Sequence, residues 1–308
     1  MRPLLRCVYG CQRSKFLASN TETCIVLRWR KNMWFKVPSG LQIAASCWGS
    51  ERDPLVVLMH GGGQTRHAWG TTGATLAARG FHVIALDLRG HGDSDWHPDG
   101  EYGVKNYLKD LIAVLEQLDK PAALVGASLG GLVAMSMAGQ SNLKNLCWSL
   151  VMVDIGIHPN LEGSAEIIAF MHSGSQGFAS VAEAADAVTD YLPHRKRPRD
   201  HRGLEKNLRL KEDGRYYWHW DPQFLQARPM ELTDAYRQQQ TALAENITTP
   251  TLLIKGAMSN VVTDIETEDF LQTIGHAEFV EIKDAAHMVA GDRNDIFALR
   301  RRIDFLHR

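Results

Sequence analysis

One serine lies between glycines in a setting that suits a nucleophile. Ser128 belongs to residues 126–130 (GASLG), which follow the apolar run 122–125 and precede a helix-like stretch. A G-x-S-x-G sequence between a strand and a helix is typical of a nucleophile elbow, a tight turn that holds the serine hydroxyl at the positive end of the helix. The turn requires small neighbours, and Gly126 and Gly130 meet that requirement. We predict that Ser128 is a nucleophile; the alternative is a plain glycine-rich turn.

A histidine near the end of the chain is placed to act as the base. His287 lies in residues 284–288 (DAAHM), just past the last strand-like run, and a serine–acid–histidine order along the chain puts the base there. The chain has 13 histidines, so it is this position that singles out His287. We expect His60, His91 and His219 to be structural or to line a pocket.

A glycine-rich loop offers backbone amides to the same site. Residues 60–63 (HGGG) directly follow the strand-like run 55–59. Bare amides in such a loop suit an oxyanion hole, together with the amide of the residue after the nucleophile. We assign the N–H groups of Gly62 and Leu129 as donors, with Gly61 as a near alternative to Gly62. A phosphate-binding turn is disfavoured, because neither G-x-x-x-x-G-K-[ST] nor G-x-G-x-x-G accompanies the loop.

The elements that must position these groups alternate between strands and helices. Helical patterns cover residues 104–118 and 132–138, and several strand-like runs are continuously apolar, as in parallel strands covered on both faces. This alternation predicts an α/β fold with a mostly parallel central sheet flanked by helices. The predicted strands are residues 34–37, 41–47, 55–59, 82–88, 122–126, 150–155, 251–255 and 277–282.

The alternation stops between residues 155 and 251, where the sequence shows no strong strand. We predict a helical cap at about residues 157–240, inserted after the sixth core strand. Residues 216–221 (YYWHWD) concentrate aromatic surface within it. Trp218 and His219 either form a wall of the substrate pocket or belong to a small core of the cap itself.

The N-terminal segment differs in charge from the rest of the chain. Residues 1–32 carry seven Lys or Arg and one acid, Glu22, a balance of +6. An arginine-rich start can be a targeting segment, but no apolar core of 7–15 residues follows it. We therefore expect residues 1–32 to be a poorly ordered extension and residues 33–308 to form the domain. The cysteine spacing gives no zinc site and weakly indicates a reducing, cytoplasmic compartment.

The overall composition excludes several classes of protein. The hydrophobic fraction of 44%, the charged fraction of 22% and the net charge of −1 are ordinary for a globular enzyme. The charge favours neither nucleic acid nor an anionic membrane as a partner, and no apolar run approaches the ~18 residues of a membrane span. We expect a soluble protein that acts on a small molecule, and the oligomeric state stays open.

Four motifs together resemble the capped α/β-hydrolase family. They are residues 60–63, 87–94 (DLRGHGDS), 126–131 and the His287 segment, in the family's order. The resemblance covers roughly residues 34–307 and implies hydrolysis of a small ester-like carbonyl substrate through an acyl-enzyme, without metal or organic cofactor. Its alternatives are carbon–carbon bond hydrolysis of a diketone-like substrate and a catalytically weak binding protein. Ser128 argues against the branches that use an aspartate nucleophile.

The acid of the triad is the point where the chain departs from this family. Asn260 occupies the usual aspartate position after the strand at 251–255. An amide can orient the histidine but cannot stabilise its protonated form by charge. We rank Asp154, at the end of an earlier strand, as the first candidate for the acid, Asn260 in an orienting role as the second, and Asp264 as the third. The alternative for Asp154 is a strand-end aspartate that only binds backbone.

Overall fold

The computed structural model describes residues 31–193, 200–226 and 233–287, together with residues 289 and 305. The predicted extension at 1–32 therefore lies outside the described residues, apart from its last two positions. Those two positions, Lys31 and Asn32, already belong to the first strand.

Eight strands form the central sheet, in the order β1-β2-β4-β3-β5-β6-β9-β10. Every strand predicted from the apolar runs is present, which confirms the α/β fold with its mostly parallel sheet. Only the pairs β1–β2 and β2–β4 are antiparallel. The eight strands are β1 (Lys31–Lys36), β2 (Gln42–Trp48), β3 (Leu55–Met59), β4 (His82–Leu86), β5 (Ala122–Ala127), β6 (Cys147–Val153), β9 (Thr251–Gly256) and β10 (Glu278–Ile282).

Helices cover both faces of this sheet. Residues of β3 alternate between two hydrophobic clusters, with Leu55 and Val57 in one and Val56 and Leu58 in the other. Both faces of the strand are thus buried, which explains its continuous apolar sequence. The flanking helices include α1 (Gly70–Ala77), α2 (Val104–Leu118), α3 (Leu129–Ala138) and α9 (Asp264–Thr273).

The segment between β6 and β9 is a separate unit that is mixed rather than purely helical. Its β7 and β8 form a two-stranded antiparallel sheet that the sequence did not indicate, because strands of three residues are too short to show a period. Hereafter we call this unit the insertion. Its elements are α4 (Leu161–Ser173), α5 (Val181–Tyr191), α6 (Arg202–Glu205), β7 (Leu208–Leu210), β8 (Tyr216–Trp218), α7 (Gln223–Gln226) and α8 (Asp234–Glu245).

Among the described residues, no helix is both long and apolar enough to cross a membrane.

Candidate active site

Ser128 lies in a strained turn between β5 and α3. Its backbone has φ 45° and ψ −113°, a region that non-glycine residues rarely occupy. A Cβ atom on Gly126 would lie 2.2 Å from the carbonyl oxygen of Gly130, and one on Gly130 would lie 2.5 Å from the carbonyl oxygen of Met59. The two glycines of the motif are therefore required by the close approach of backbone on both sides of Ser128.

His287 and Asp154 lie within hydrogen-bond distance of each other. The Nδ1 atom of His287 is 2.8 Å from Oδ2 of Asp154, and Asp154 is fully buried at the end of β6. The same carboxylate accepts hydrogen bonds from the Gly256 amide at 2.7 Å and from the Ser259 hydroxyl at 2.5 Å. With Nδ1 facing a carboxylate, the proton acceptor that remains on the ring is Nε2.

The other two candidates for the acid have different partners. The side-chain amide of Asn260 donates to Oε2 of Glu166 on α4 at 2.5 Å. Asp264 accepts from Lys255 at 2.6 Å, and its side chain is 98% exposed. The structure thus brings Asp154 to His287, and it does not give Asn260 the orienting contact that the sequence allowed.

The glycine-rich loop borders Ser128, and its amides differ in their bonding. Gly61 N–H donates to Oε1 of Gln64 at 3.0 Å. Gly62 lines the same cavity as Ser128 and Leu129, and Leu129 is the first residue of α3, where a backbone N–H has no partner within the helix. The pair of amides that suits an oxyanion is therefore Gly62 and Leu129 rather than Gly61 and Leu129.

Three residues expected at the pocket lie elsewhere, as supports. Trp218 packs in the hydrophobic core of the insertion, where it stacks on Trp220 with ring centroids 5.0 Å apart. His60 is fully buried, accepts from the Leu88 amide at 3.0 Å and donates to the Gly61 carbonyl at 2.7 Å. His219 accepts from Gly92 N–H and donates to the Gly63 carbonyl.

His60, His91 and His219 form one buried group, which we call the histidine cluster. Ring centroids are 5.1 Å apart for His60 and His91 and 6.0 Å apart for His91 and His219. Burial lowers the pKa of His60 to about 4 and that of His91 to about 3, and it lowers the pKa of His219 well below its usual value. His219 accepts from Gly92 at 2.8 Å and lies 3.2 Å from the Gly63 carbonyl, so it ties the insertion to the glycine-rich loop.

A large cavity joins Ser128 to His287. Its volume is about 1240 Å³, and Ser128, His287 and Gly62 all line it. Much of its wall comes from α2, α3, α4 and α8, which the sequence alone could not assign to a pocket. Ser259 is a further supporting residue that sequence reasoning missed; its place just after β9 was the available signal. Among the described residues, no group of three or more His, Cys, Asp or Glu is arranged to hold a metal ion.

Residues 54–293 match the alpha/beta hydrolase fold family, and the chain belongs to that family. It is a hydrolase. Esterase Rv0045c of Mycobacterium tuberculosis is 31% identical over 259 residues, covering 82% of each chain. The 3-hydroxybutyrate-oligomer hydrolase of Cupriavidus necator is 26% identical, covering 81% of this chain and 88% of that protein. Among solved structures, an E-2-(acetamidomethylene)succinate hydrolase has a TM-score of 0.77 at 21% identity, covering 90% of this chain and 100% of that one.

Proposed function

We propose that this hydrolase cleaves carboxylic esters through an acyl-enzyme formed on Ser128. The observation that supports it most is the 2.8 Å contact between His287 and the buried Asp154, at the cavity that Ser128 also lines. The names of relatives agree, since esterase Rv0045c and a 3-hydroxybutyrate-oligomer hydrolase are among them.

In the proposed mechanism, His287 Nε2 takes the Ser128 proton as the hydroxyl oxygen attacks the ester carbonyl. The amides of Gly62 and Leu129 hold the negative oxygen of the tetrahedral intermediate. Buried Asp154 keeps the imidazole oriented and stabilises its protonated form. His287 then protonates the departing alcohol, and a water activated by the same ring releases the acid from Ser128.

We also assign the insertion, at about residues 157–240, the role of a cap over this chemistry. Two of its side chains come close to the glycine-rich loop. A Cβ atom on Gly62 would lie 3.2 Å from the ring of Phe224, and one on Gly63 would lie 3.0 Å from the terminal methyl of Met171. The insertion thus packs directly beside the proposed oxyanion hole, where it excludes water and shapes specificity.

The two alternative functions are less well supported by the site. Carbon–carbon bond hydrolysis of a diketone-like acid calls for a strongly polar carboxylate pocket. Much of the cavity wall is apolar, with Leu129, Ile167 and Val261 among its residues, and Lys105 and Lys109 are the lysine or arginine residues that line it in the described part of the chain. A catalytically weak binding protein was suggested by Asn260 in the usual acid position. Asp154 supplies a carboxylate to His287, so Asn260 no longer argues for inactivity.

Covalent labelling tests the proposal directly. A fluorophosphonate probe should label the wild-type chain at Ser128 and should not label Ser128→Ala, and only the wild type should hydrolyse p-nitrophenyl acetate. Ser173→Ala removes a serine hydroxyl from the exposed end of α4, away from the cavity, and as the matched control it should still be labelled. A folded wild-type protein that resists the probe and leaves the ester intact would refute the proposed function.

A further inference from the structure

The cavity extends from Ser128 along the whole of α3. Besides Leu129, the residues that line it on this side after Ser128 are Leu132 and Ser136 in α3 and Gln140, two residues beyond the end of α3, and they are spaced four apart. Residues at this spacing lie on one face of a helix, so they form a single stripe. At ~1.5 Å per residue, the stripe is about 18 Å long.

Helices α2 and α8 form the two walls beside this stripe. On each of them the lining residues recur at intervals of three and four, and they are Val104, Lys105, Leu108, Lys109 and Ile112 on α2, and Tyr236, Gln239, Gln240 and Leu243 on α8. Helices α3 and α8 run in the same direction, because each leads into one of two paired parallel strands, β6 and β9. A Cβ atom on Gly139 would lie 2.2 Å from the Leu243 carbonyl oxygen, which fixes their register. Gln240, one turn before Leu243, is therefore level with Ser136.

The middle of this channel carries buried polar groups. Gln240 is only 6% exposed and Ser136 only 5%, yet both border the cavity. The Ser136 hydroxyl donates to the Leu132 carbonyl at 2.8 Å, which leaves its oxygen able to accept. A buried amide such as that of Gln240 gains from a hydrogen-bonding partner once water is displaced from it. A purely alkyl chain would displace water here without offering these groups a partner, whereas a chain with an amide or ester group at this depth would offer one.

We propose that the channel binds the acyl part of the substrate, extended along α3, with a hydrogen-bonding group at Ser136 and Gln240. An extended chain advances about 1.3 Å per atom for bonds near 1.5 Å, so the channel takes about 14 chain atoms and places the polar group about nine atoms from the carbonyl carbon. A volume of about 1240 Å³ exceeds the range usual for drug-sized ligands, which fits a long occupant. This proposal rests on the proposed esterase function and deepens it.

Blocking the channel at two depths tests its length. Ser136→Phe should lower the ratio of kcat/KM for p-nitrophenyl dodecanoate to that for the acetate by roughly 100-fold, because the buried part of the chain is displaced. Gln140 is half-buried at the far end of the channel. Gln140→Trp should lower kcat/KM relative to the acetate only for esters whose acyl chains are longer than about 12 carbons. Glu116→Phe adds the same ring to the exposed side of α2 and should keep the wild-type ratio. Substrates are used below their critical micelle concentrations, and folding is checked by thermal melting.

A second pair of substrates tests the polar group. A p-nitrophenyl ester with an amide about nine atoms from the carbonyl should have a KM roughly tenfold lower than its all-methylene counterpart. Gln240→Leu should abolish this preference, while Gln272→Leu on the exposed face of α9 should keep it. Equal KM values in the wild type would overturn the polar part of the proposal.

The outcomes separate this inference from the proposed function. If acetate is cleaved and Ser128 is labelled but the chain-length ratio is the same in wild type and both blocking variants, the channel proposal is wrong and the esterase proposal stands. A dependence on the length of the alcohol chain, with none on the acyl chain, would also overturn it. If neither ester cleavage nor labelling occurs, the proposed function itself fails.

Discussion

His287 and the histidine cluster show how environment divides identical side chains between two roles. His287 borders a cavity and has a carboxylate on its Nδ1 atom, so its protonated form has a stabilising partner. The rings of His60, His91 and His219 are enclosed, and burial lowers the pKa of each. They are neutral and stabilise the fold through hydrogen bonds to neighbouring backbone groups. Access to the cavity and a charged partner, rather than residue type, distinguish the proposed base from the other three histidines.

The largest expected difference between the two groups is in activity. His287→Ala should lower kcat for an ester by about 10⁵-fold, because the general base is lost. His91→Phe should change kcat less than tenfold, since the His91 ring already packs edge-on against Phe224 at 4.7 Å and its Nε2 atom has no partner among the described residues. Steady-state kinetics on both variants checks this. Equal losses of kcat in the two variants would show that His287 and His91 do not differ in role.

The carboxylate is the second feature that separates His287 from the cluster. Asp154→Asn should reduce kcat about 10⁴-fold, because an amide does not stabilise the protonated ring. Asn260→Asp should not raise kcat, since the new carboxylate would face Glu166 rather than His287. An unchanged kcat in Asp154→Asn together with a large gain in Asn260→Asp would show that the acid is assigned wrongly.

Within the cluster, His219 should matter for stability. His219→Leu leaves the Gly92 amide and the Gly63 carbonyl without their partner, which should cost about 3 kcal/mol of unfolding free energy. Urea denaturation measures the loss of unfolding free energy. His172→Leu on α4 is the control, because within the described part of the chain the His172 side chain makes no such bridge between two elements. A change below ~0.5 kcal/mol, the usual range for a surface substitution, would show that the bridge contributes little.

The smallest effect for any one residue concerns the pH dependence of stability. The folded pKa values of the cluster lie below the unfolded value near 6.5, so protonation favours the unfolded chain. For His60 and His91 this stabilisation is fully present above pH 6.5 and is lost as pH falls towards their folded pKa values of about 4 and about 3, at a cost of about 2 kcal/mol for each at pH 5. In the acid range, His91→Phe should reduce the slope of unfolding free energy against pH by the contribution of one bound proton. A slope identical to that of the wild type would contradict the neutral, buried state of His91.

The sequence predicted the sheet well because its strands are buried on both faces. Val56 and Leu58 point to one hydrophobic cluster and Leu55 and Val57 to the other, and this leaves an unbroken apolar run that is easy to recognise. The strands of the insertion have three residues each and carry no such signal.

The site residues also differ in how far the local sequence predicts them. Ser128 could be predicted because the elbow imposes glycines around it, and their need is visible in the 2.2 Å approach between Gly126 and the Gly130 carbonyl. The contact between His287 and Asp154 joins residues that are 133 positions apart. The order of the strands in the sheet decides which carboxylate lies next to His287, so local sequence could rank Asp154 first but could not show this contact.

The hydrogen bond between Asn260 and Glu166 has a consequence for how this sequence can change. Placing an aspartate at position 260 would set two carboxylates against each other at hydrogen-bond distance, where like charges repel. Both side chains are exposed, so solvent screens this repulsion and its cost is modest. The repulsion would act between α4 and the loop after β9, and a simultaneous change of Glu166 would remove it. A carboxylate at position 260 would thus be coupled to α4 rather than to His287.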